Sequence, residues 1–166
     1  MRYVARGVMI CVLVGMGSAA QAQAIDPQVV APINKFIEAF NKGDMAGAAA
    51  THSSKGDIVI IDEVPPFLWR GAKALQAWGG DLEVEAKQRG LTDQKVTLSA
   101  PTRAEIHGDA AYVVVPAVYT FNEKGVAMRE TAQMTFSLQK DAKGWLIDAW
   151  TWTGGKPRQL AAASKK

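Results

Sequence analysis

Apolar and polar residues follow a helical spacing in the first half of the chain and a strand-like spacing in the second. The first helix is predicted from apolar residues that recur at intervals of three and four positions: Ile33, Phe36, Ile37 and Phe40. An Asp-Pro pair at 26–27 marks its start and Gly43 its end. The pattern also predicts a short helix from 45 to about 51 and a third helix from 71 to 89.

From residue 93 onward apolar and polar residues alternate, which is typical of strands with one wet face. Four strands are predicted at about 94–106, 110–122, 126–139 and 145–153, joined by short glycine-bearing turns. Glu130 is the single charge on the apolar face of the third strand, and Asp148 is the single charge on the corresponding face of the fourth. Because the helices precede an antiparallel meander, the predicted fold class is α+β.

The stretch from 57 to 78 joins the two halves and predicts one wall of a pocket. A β-branched strand ends there in two acids, Asp62 and Glu63, and the two prolines that follow prevent further strand pairing. Phe67 and Trp69 lie on the same loop. A carboxylate beside an aromatic loop is typical of the mouth of a ligand site.

Residues 1–24 are predicted to be a secretory signal peptide. Two arginines precede an apolar run too short to span a membrane, and Ala-Gln-Ala triplets at 20–24 form a small-residue cleavage signature. The alternative is an uncleaved anchor or a buried helix. Cleavage after Ala22 or Ala24 removes Cys11, the only cysteine. We therefore expect a periplasmic or secreted protein without disulfides, thiolate chemistry or a membrane anchor.

Cleavage leaves 142 residues, which predicts one domain over 25–155 and a basic, disordered tail over 156–166. The whole chain has a net charge of +3, but the basic excess lies in the leader and the tail. The domain itself is slightly acidic, so no nucleic-acid partner is expected.

Metal, nucleophile and phosphate chemistry find no support in the sequence. His52 and His107 are far apart, and no cysteine remains after cleavage, so no zinc-ligand spacing exists. Ser53 and Ser54 lack a His-Asp context, and no glycine loop has the spacing of a phosphate cradle. We predict neither a metal nor a cofactor.

The order of elements resembles a known superfamily. A helix, a Phe-Asn-Lys-Gly-Asp turn, a strand ending in an acid, a proline loop, an RGAKALQAW helix and strands ending in GWLIDAWTW are similar to nuclear transport factor 2-like proteins, and within them to the SnoaL-like, ketosteroid-isomerase-type branch. The resemblance covers 26–155. It implies a curved antiparallel sheet around a cone-shaped cavity closed by N-terminal helices (a cystatin-like roll), often as a homodimer. The branch contains isomerases, dehydratases, epoxide hydrolases, polyketide cyclases and non-enzymatic binders.

The resemblance also assigns positions. Asp62 stands nine residues before Gly71 and matches the general base of ketosteroid isomerases. The positions of their two oxyanion donors fall on Phe36 and near Ala132, which donate nothing. Steroid isomerisation is therefore not expected, since a base alone gives little acceleration, although Tyr119 is a possible replacement donor.

The resemblance places a set of side chains in the cavity. The catalytic candidates are Asp62, Tyr119 and Glu130, and the ligand-binding candidates are Ile60, Trp69, Trp78, Met134, Asp148, Trp150 and Trp152. Several carboxyls in one apolar cavity raise one another's pKa, which suits proton transfer. The alternatives are that Glu130 or Asp148 pairs with an arginine or a backbone amide, and that at least two of the tryptophans are core.

Three functions stay open at this point. The first is an exported protein that binds a small apolar or cyclic molecule. The second is a cofactor-independent isomerase or lyase with Asp62 as the general base. The third is a dimeric interaction module that uses the polar outer face of the third strand.

Overall fold

The computed structural model describes residues 25–160; the predicted leader at 1–24 and the last six residues of the predicted tail lie outside this range. The helices are α1 (Pro27–Asn41), α2 (Met45–Ala50) and α3 (Ala74–Arg89). Asp26 caps α1 by accepting from the backbone N–H of Gln28 at 2.8 Å, as the Asp-Pro pair predicts. None of these helices is long and apolar enough to cross a membrane.

Eight strands form one curved sheet: β1 (Val59–Ile61), β2 (Leu68–Arg70), β3 (Leu91–Leu98), β4 (Arg103–His107), β5 (Ala110–Glu123), β6 (Val126–Asp141), β7 (Gly144–Gly154) and β8 (Arg158–Gln159). The order is β2-β1-β7-β6-β5-β3, with β4 on β5 and β8 on β6. All pairs are antiparallel except β1 with β7. The predicted α+β class with a curved sheet is confirmed.

Two predicted boundaries differ from the structure because of local backbone chemistry. The helix predicted from Gly71 begins at Ala74, since Gly71 has a φ of +96° and forms a turn instead. The strand predicted at 94–106 is divided into β3 and β4, and Pro101 lies in the break. The two short strands pair with different halves of β5, which lets the sheet bend there.

The core lies between α1 and the inner face of the sheet. Ala132, Met134, Phe136 and Leu138 alternate along β6 and are all buried, as the period of two predicts. Phe36 of α1 contacts the ring of Trp150 at 5.5 Å between centroids. Burial of this apolar surface is the main force that holds the helix on the sheet.

A β-bulge in β7 places Asp148 away from its predicted face. Ser137 pairs with Ala149 whereas Leu138 pairs with Ile147, so Asp148 is the extra residue opposite β6. Ile147 and Trp150 are both buried although three positions separate them, because the bulge shifts the alternation by one residue. The prediction that Asp148 shares the inner face with Trp150 was wrong.

The segment after β7 is ordered over part of its length. Arg158 and Gln159 of β8 pair with Arg129 and Met128 of β6, and the backbone N–H of Leu160 donates to the adjoining strand at 2.9 Å. The prediction of a disordered tail from 156 onward was therefore wrong for 156–160. Its physical reason is the free edge that the end of β6 offers beyond its pairing with β7.

Candidate functional site

A cavity of about 320 Å³ lies between α1, α3, the loop after β1 and the inner face of the sheet. Its walls are mainly aromatic: Phe36, Phe40, Trp78, Tyr119, Trp150 and Trp152. Its polar lining consists of Asp62, Glu63, Glu85, Arg89, Gln94 and Lys156. Of these, Glu63 and Lys156 are exposed and mark the mouth of the cavity. A concave apolar site with few polar groups is typical of small-molecule binding.

Asp62 follows the last residue of β1 and is held in the cavity by two donors. The indole Nε1–H of Trp78 donates to Asp62 Oδ2 at 2.6 Å, and the backbone N–H of Glu63 donates to Oδ1 at 2.7 Å. Burial raises the pKa of Asp62 above its ordinary value, and the charge of Glu85 adds to this, while the two hydrogen bonds oppose it. Asp62 thus lines the cavity, and its role there stays a prediction.

Glu130 lies on the inner face of β6 and is only 1% exposed. Trp152 Nε1–H donates to Glu130 Oε1 at 2.8 Å, while Oε2 has no donor within residues 25–160. Gly154 makes room for this carboxyl, because a Cβ there would overlap Oε1. The partner of Glu130 is thus an indole, and the alternative of an arginine or amide partner is wrong.

Glu63 places a second carboxyl against Glu130. Burial of its carboxyl raises the pKa of Glu63 to about 8, with further contributions from hydrogen bonding and charge repulsion by Glu130 and from the charge of Asp62. The residue as a whole is exposed, so the carboxyl lies where the mouth meets solvent. At neutral pH Glu63 keeps its proton, which can serve as the donor that Glu130 Oε2 otherwise lacks within residues 25–160.

Tyr119, the possible replacement for the two missing oxyanion donors, donates its hydroxyl hydrogen to Gln94 Oε1 at 2.5 Å. Burial raises its pKa far above the ordinary value, so it stays a neutral phenol. Gln94 lies within the β3 irregularity between Thr92 and Lys95, and no sequence signal marked it as a site residue.

Arg89, in the last turn of α3, is a second residue that the sequence did not mark. Its guanidinium donates to Glu123 Oε1 at 3.1 Å and to Glu85 Oε1 at 3.1 Å, so two carboxylates balance its charge. Lys156 follows β7 and lines the mouth, and no carboxylate within residues 25–160 lies close enough to form an ion pair with it.

Three predicted ligand-binding residues do not line the cavity. Ile60 is fully buried in the core, and Asp148 is displaced by the bulge. Trp69 is 5% exposed, and its Nε1–H donates to Asp81 Oδ2 at 2.7 Å, so it fastens β2 to α3. The other four, Trp78, Met134, Trp150 and Trp152, do line it.

His52 does not line the cavity. His52 is buried beside Phe36, and burial lowers its pKa to about 4. Its Nδ1–H donates to the carbonyl of Ala48 at 2.9 Å, so it is a neutral core residue. Within residues 25–160 no group of three or more His, Cys, Asp or Glu side chains is arranged to hold a metal ion.

The curved sheet, the helices that close it and the enclosed aromatic cavity define the nuclear transport factor 2-like class of fold. The SnoaL-like domain family matches residues 29–150, and the chain belongs to that family. The predicted family resemblance is therefore confirmed. No curated protein matches the chain in sequence.

Solved structures share this fold at low sequence identity. A ketosteroid isomerase-like protein from Erwinia carotovora atroseptica is 21% identical with a TM-score of 0.61, over 79% of this chain and 96% of that one. A nuclear transport factor 2-like superfamily protein from Salmonella enterica serovar Typhimurium is 15% identical with a TM-score of 0.64, over 84% and 95%. A hexachlorocyclohexane dehydrochlorinase (LinA) of type 2 is 10% identical with a TM-score of 0.63, over 82% and 91%. At these identities the similarity shows the fold alone.

Proposed function

We propose that this protein binds a small apolar or cyclic molecule in the cavity and that Asp62 orients its polar end. The observation that carries the proposal is a cavity of about 320 Å³ in which aromatic walls surround a carboxyl group held by Trp78. Stacking against these walls removes apolar ligand surface from water, at about 25 cal/mol per Å². A hydrogen bond to Asp62 then fixes the orientation of the ligand.

Binding is favoured over catalysis because three of the side-chain donors that line the cavity are already engaged. Trp78 donates to Asp62, Trp152 to Glu130 and Tyr119 to Gln94. An isomerase of the ketosteroid type needs preorganised donors where negative charge develops on the substrate. Phe36 and Ala132 provide none at the two positions that the resemblance assigns.

A cofactor-independent isomerase or lyase is the second candidate, with Asp62 as the general base. The observation in its favour is the raised pKa of Asp62, since a base poised closer to neutrality both takes and returns a proton. Turnover of a Δ5-3-ketosteroid that disappears in both Asp62→Asn and Tyr119→Phe would establish this candidate. The homodimer and the interaction module on the outer sheet face stay predictions.

The proposed compartment is the periplasm, or the outside of the cell, after removal of residues 1–24. The support is the pattern of that stretch: positive residues, a short apolar run and a small-residue cleavage signature. The intact mass of the exported protein tests it, and retention of Met1 would contradict it.

The binding proposal is tested with two matched variants. Mass spectrometry of protein purified from its exported fraction identifies the bound molecule, and titration gives its affinity for Asp62→Asn and Asp81→Asn. We expect Asp62→Asn to weaken binding about tenfold or more, because a charge-assisted hydrogen bond contributes on the order of 1.5–3 kcal/mol. Asn keeps an oxygen for Trp78, so the melting temperature should stay close to that of the wild type.

Asp81→Asn is the control, because Asp81 also accepts from an indole but lies outside the cavity. The affinity of Asp81→Asn for the bound molecule should equal that of the wild type. Equal affinity in all three proteins would mean that Asp62 only fixes Trp78 in place and has no role in binding.

A further inference from the structure

The carboxyl groups of Asp62, Glu63 and Glu130 lie close together beside the cavity, and within residues 25–160 none of them forms an ion pair. Asp62 and Glu63 both line the cavity, and Glu63 lies against Glu130. Within residues 25–160, no lysine or arginine nitrogen comes within 4.0 Å of any of them. Arg89 lines the same cavity but is balanced by two carboxylates of its own. The carboxyl cluster therefore has no cation of its own within the described residues.

Glu130 gives an independent sign that the cluster needs a hydrogen-bond donor beyond its fixed contacts. Its side chain is almost fully buried, and Oε2 has no hydrogen-bond donor within the described part of the chain. It faces the cavity side of the sheet, between Trp152 and Glu63. A buried carboxylate oxygen without a donor is costly, so a proton or a ligand must supply the hydrogen.

We propose that the ligand is an organic cation, a protonated amine attached to an apolar ring, whose ammonium group lies between Asp62 and Glu63. This inference rests on the proposed binding function and names its ligand class. The ammonium supplies the N–H donors and the positive charge that the three carboxyls lack. The rings of Tyr119 and Trp152 line the same cavity and pack edge to face, with 6.2 Å between their centroids. They add cation–π attraction for the ammonium group.

The remaining charges around the mouth do not cancel this preference. Glu85 and Arg89 face it from α3, and they form an ion pair with each other. Lys156 faces it from the segment after β7, but it is exposed and forms no ion pair with a carboxylate within residues 25–160. Since exposed charges are screened by solvent, Lys156 weakens the local negative potential without reversing it.

Proton release is a second signature of the same inference. In the free protein at pH 7 Glu63 carries a proton, since its pKa is about 8. An arriving ammonium favours the ionised form of Glu63, which then loses its proton. An alcohol on the same ring makes no such demand and should bind without proton release.

The test is isothermal titration calorimetry at pH 7 with three probes that share one ring: naphthylmethylamine, naphthylmethanol and naphthoate. We expect the amine to bind about tenfold or more tightly than the alcohol, as a charge-assisted contact predicts, and naphthoate to bind most weakly. Two buffers with different ionisation enthalpies should show release of up to one proton with the amine alone. Equal or tighter binding of the alcohol or naphthoate overturns the cation inference but leaves the binding function standing. Absence of binding by all three probes counts against both.

Variants locate the effect. Glu63→Gln on the exposed loop should reduce the preference for the amine and abolish proton release, and Glu130→Gln should do the same through Glu63. Glu105→Gln is the control, because Glu105 pairs with Arg103 on the exposed strand β4, away from the cavity. An amine preference that is unchanged in Glu63→Gln, or lost equally in Glu105→Gln, overturns the assignment.

Discussion

Two tryptophan–aspartate hydrogen bonds join α3 to the β1–β2 unit, and they differ only in direction and place. In one, Trp78 of the helix donates to Asp62 after β1 at 2.6 Å. In the other, Trp69 of β2 donates to Asp81 of the helix at 2.7 Å. The two contacts have nearly the same length and the same chemistry. Together they fasten the edge of the sheet to the helix from both sides.

The difference between the pairs lies in what surrounds the carboxyl. Asp62 borders the aromatic-walled cavity and has Glu63 beside it, and its pKa is raised by burial. Asp81 borders no part of that cavity. The same local contact therefore serves as a structural fastening in one place and as the support of a functional acid in the other. The adjacent cavity, and not the contact itself, distinguishes the two.

The largest effect is expected where a third indole–carboxyl pair, Trp152 and Glu130, leaves no spare space. Gly154→Ala places a Cβ on the Glu130 carboxyl and should lower the free energy of unfolding by about 3 kcal/mol, at the upper end of the usual cost of overpacking. Gly155→Ala is the matched control, because its Cβ would approach only the carbonyl oxygen of Thr131, at 3.9 Å. Urea denaturation of both variants measures the difference. Equal stability of the two would show that Glu130 moves aside freely.

A middle-sized effect separates the two tryptophan–aspartate pairs directly. Trp69→Phe and Trp78→Phe each remove one hydrogen bond to a carboxylate, and each should lower the free energy of unfolding by about 1–3 kcal/mol. Only Trp78→Phe should also raise the pKa of Asp62 further, because that indole lowers it in the wild type. The pH at which ligand binding is half lost on acidification should therefore move upward in Trp78→Phe alone. The same shift in Trp69→Phe would remove the distinction between the pairs.

The smallest effect concerns stability as a function of pH. The pKa of Glu63 is raised from 4.5 to about 8 in the folded protein, so folding favours its protonated form. Its contribution to stability is present below pH 4.5 and is lost as pH rises through about 8. Glu63→Gln should therefore flatten the fall in melting temperature between pH 5 and 9. The change should be small because the residue is exposed and solvent screens it. A melting profile identical to that of the wild type would mean that Glu63 titrates normally.

Local sequence patterns predict the helices and strands, and they also predict that Asp62 lies beside a pocket. Alternation along β6 and the cap at Asp26 depend on neighbours in sequence, and both are visible without a structure. Asp148 shows the limit of that method, because its alternation with Trp150 is regular in sequence while the bulge is set by pairing with β6. Glu63 shows a second limit. Strand alternation would direct its side chain away from that of Asp62, but β1 ends at Ile61, before either residue, and both line the cavity.

The remaining site residues depend on contacts that are distant in sequence. Gln94 is held in the site by the hydroxyl of Tyr119, 25 positions away in sequence. Arg89 is held there by the carboxylate of Glu123, 34 positions away. No local pattern marks either residue, since each is typical of an exposed position in its own element. For Trp69 and Trp78 the sequence predicts too much. The sequence places both in the cavity, and only the packing of β2 on α3 separates them.

The aromatic walls have an optical consequence. Trp78 and Trp150 meet edge to face at 4.9 Å between ring centroids, and both line the cavity together with Trp152. Indoles this close couple electronically, so the near-ultraviolet circular dichroism of the protein should be dominated by the binding site. Fluorescence emission from the same rings is expected to change when the cavity fills. The protein thus carries its own reporter, and occupancy is measurable in solution without a label.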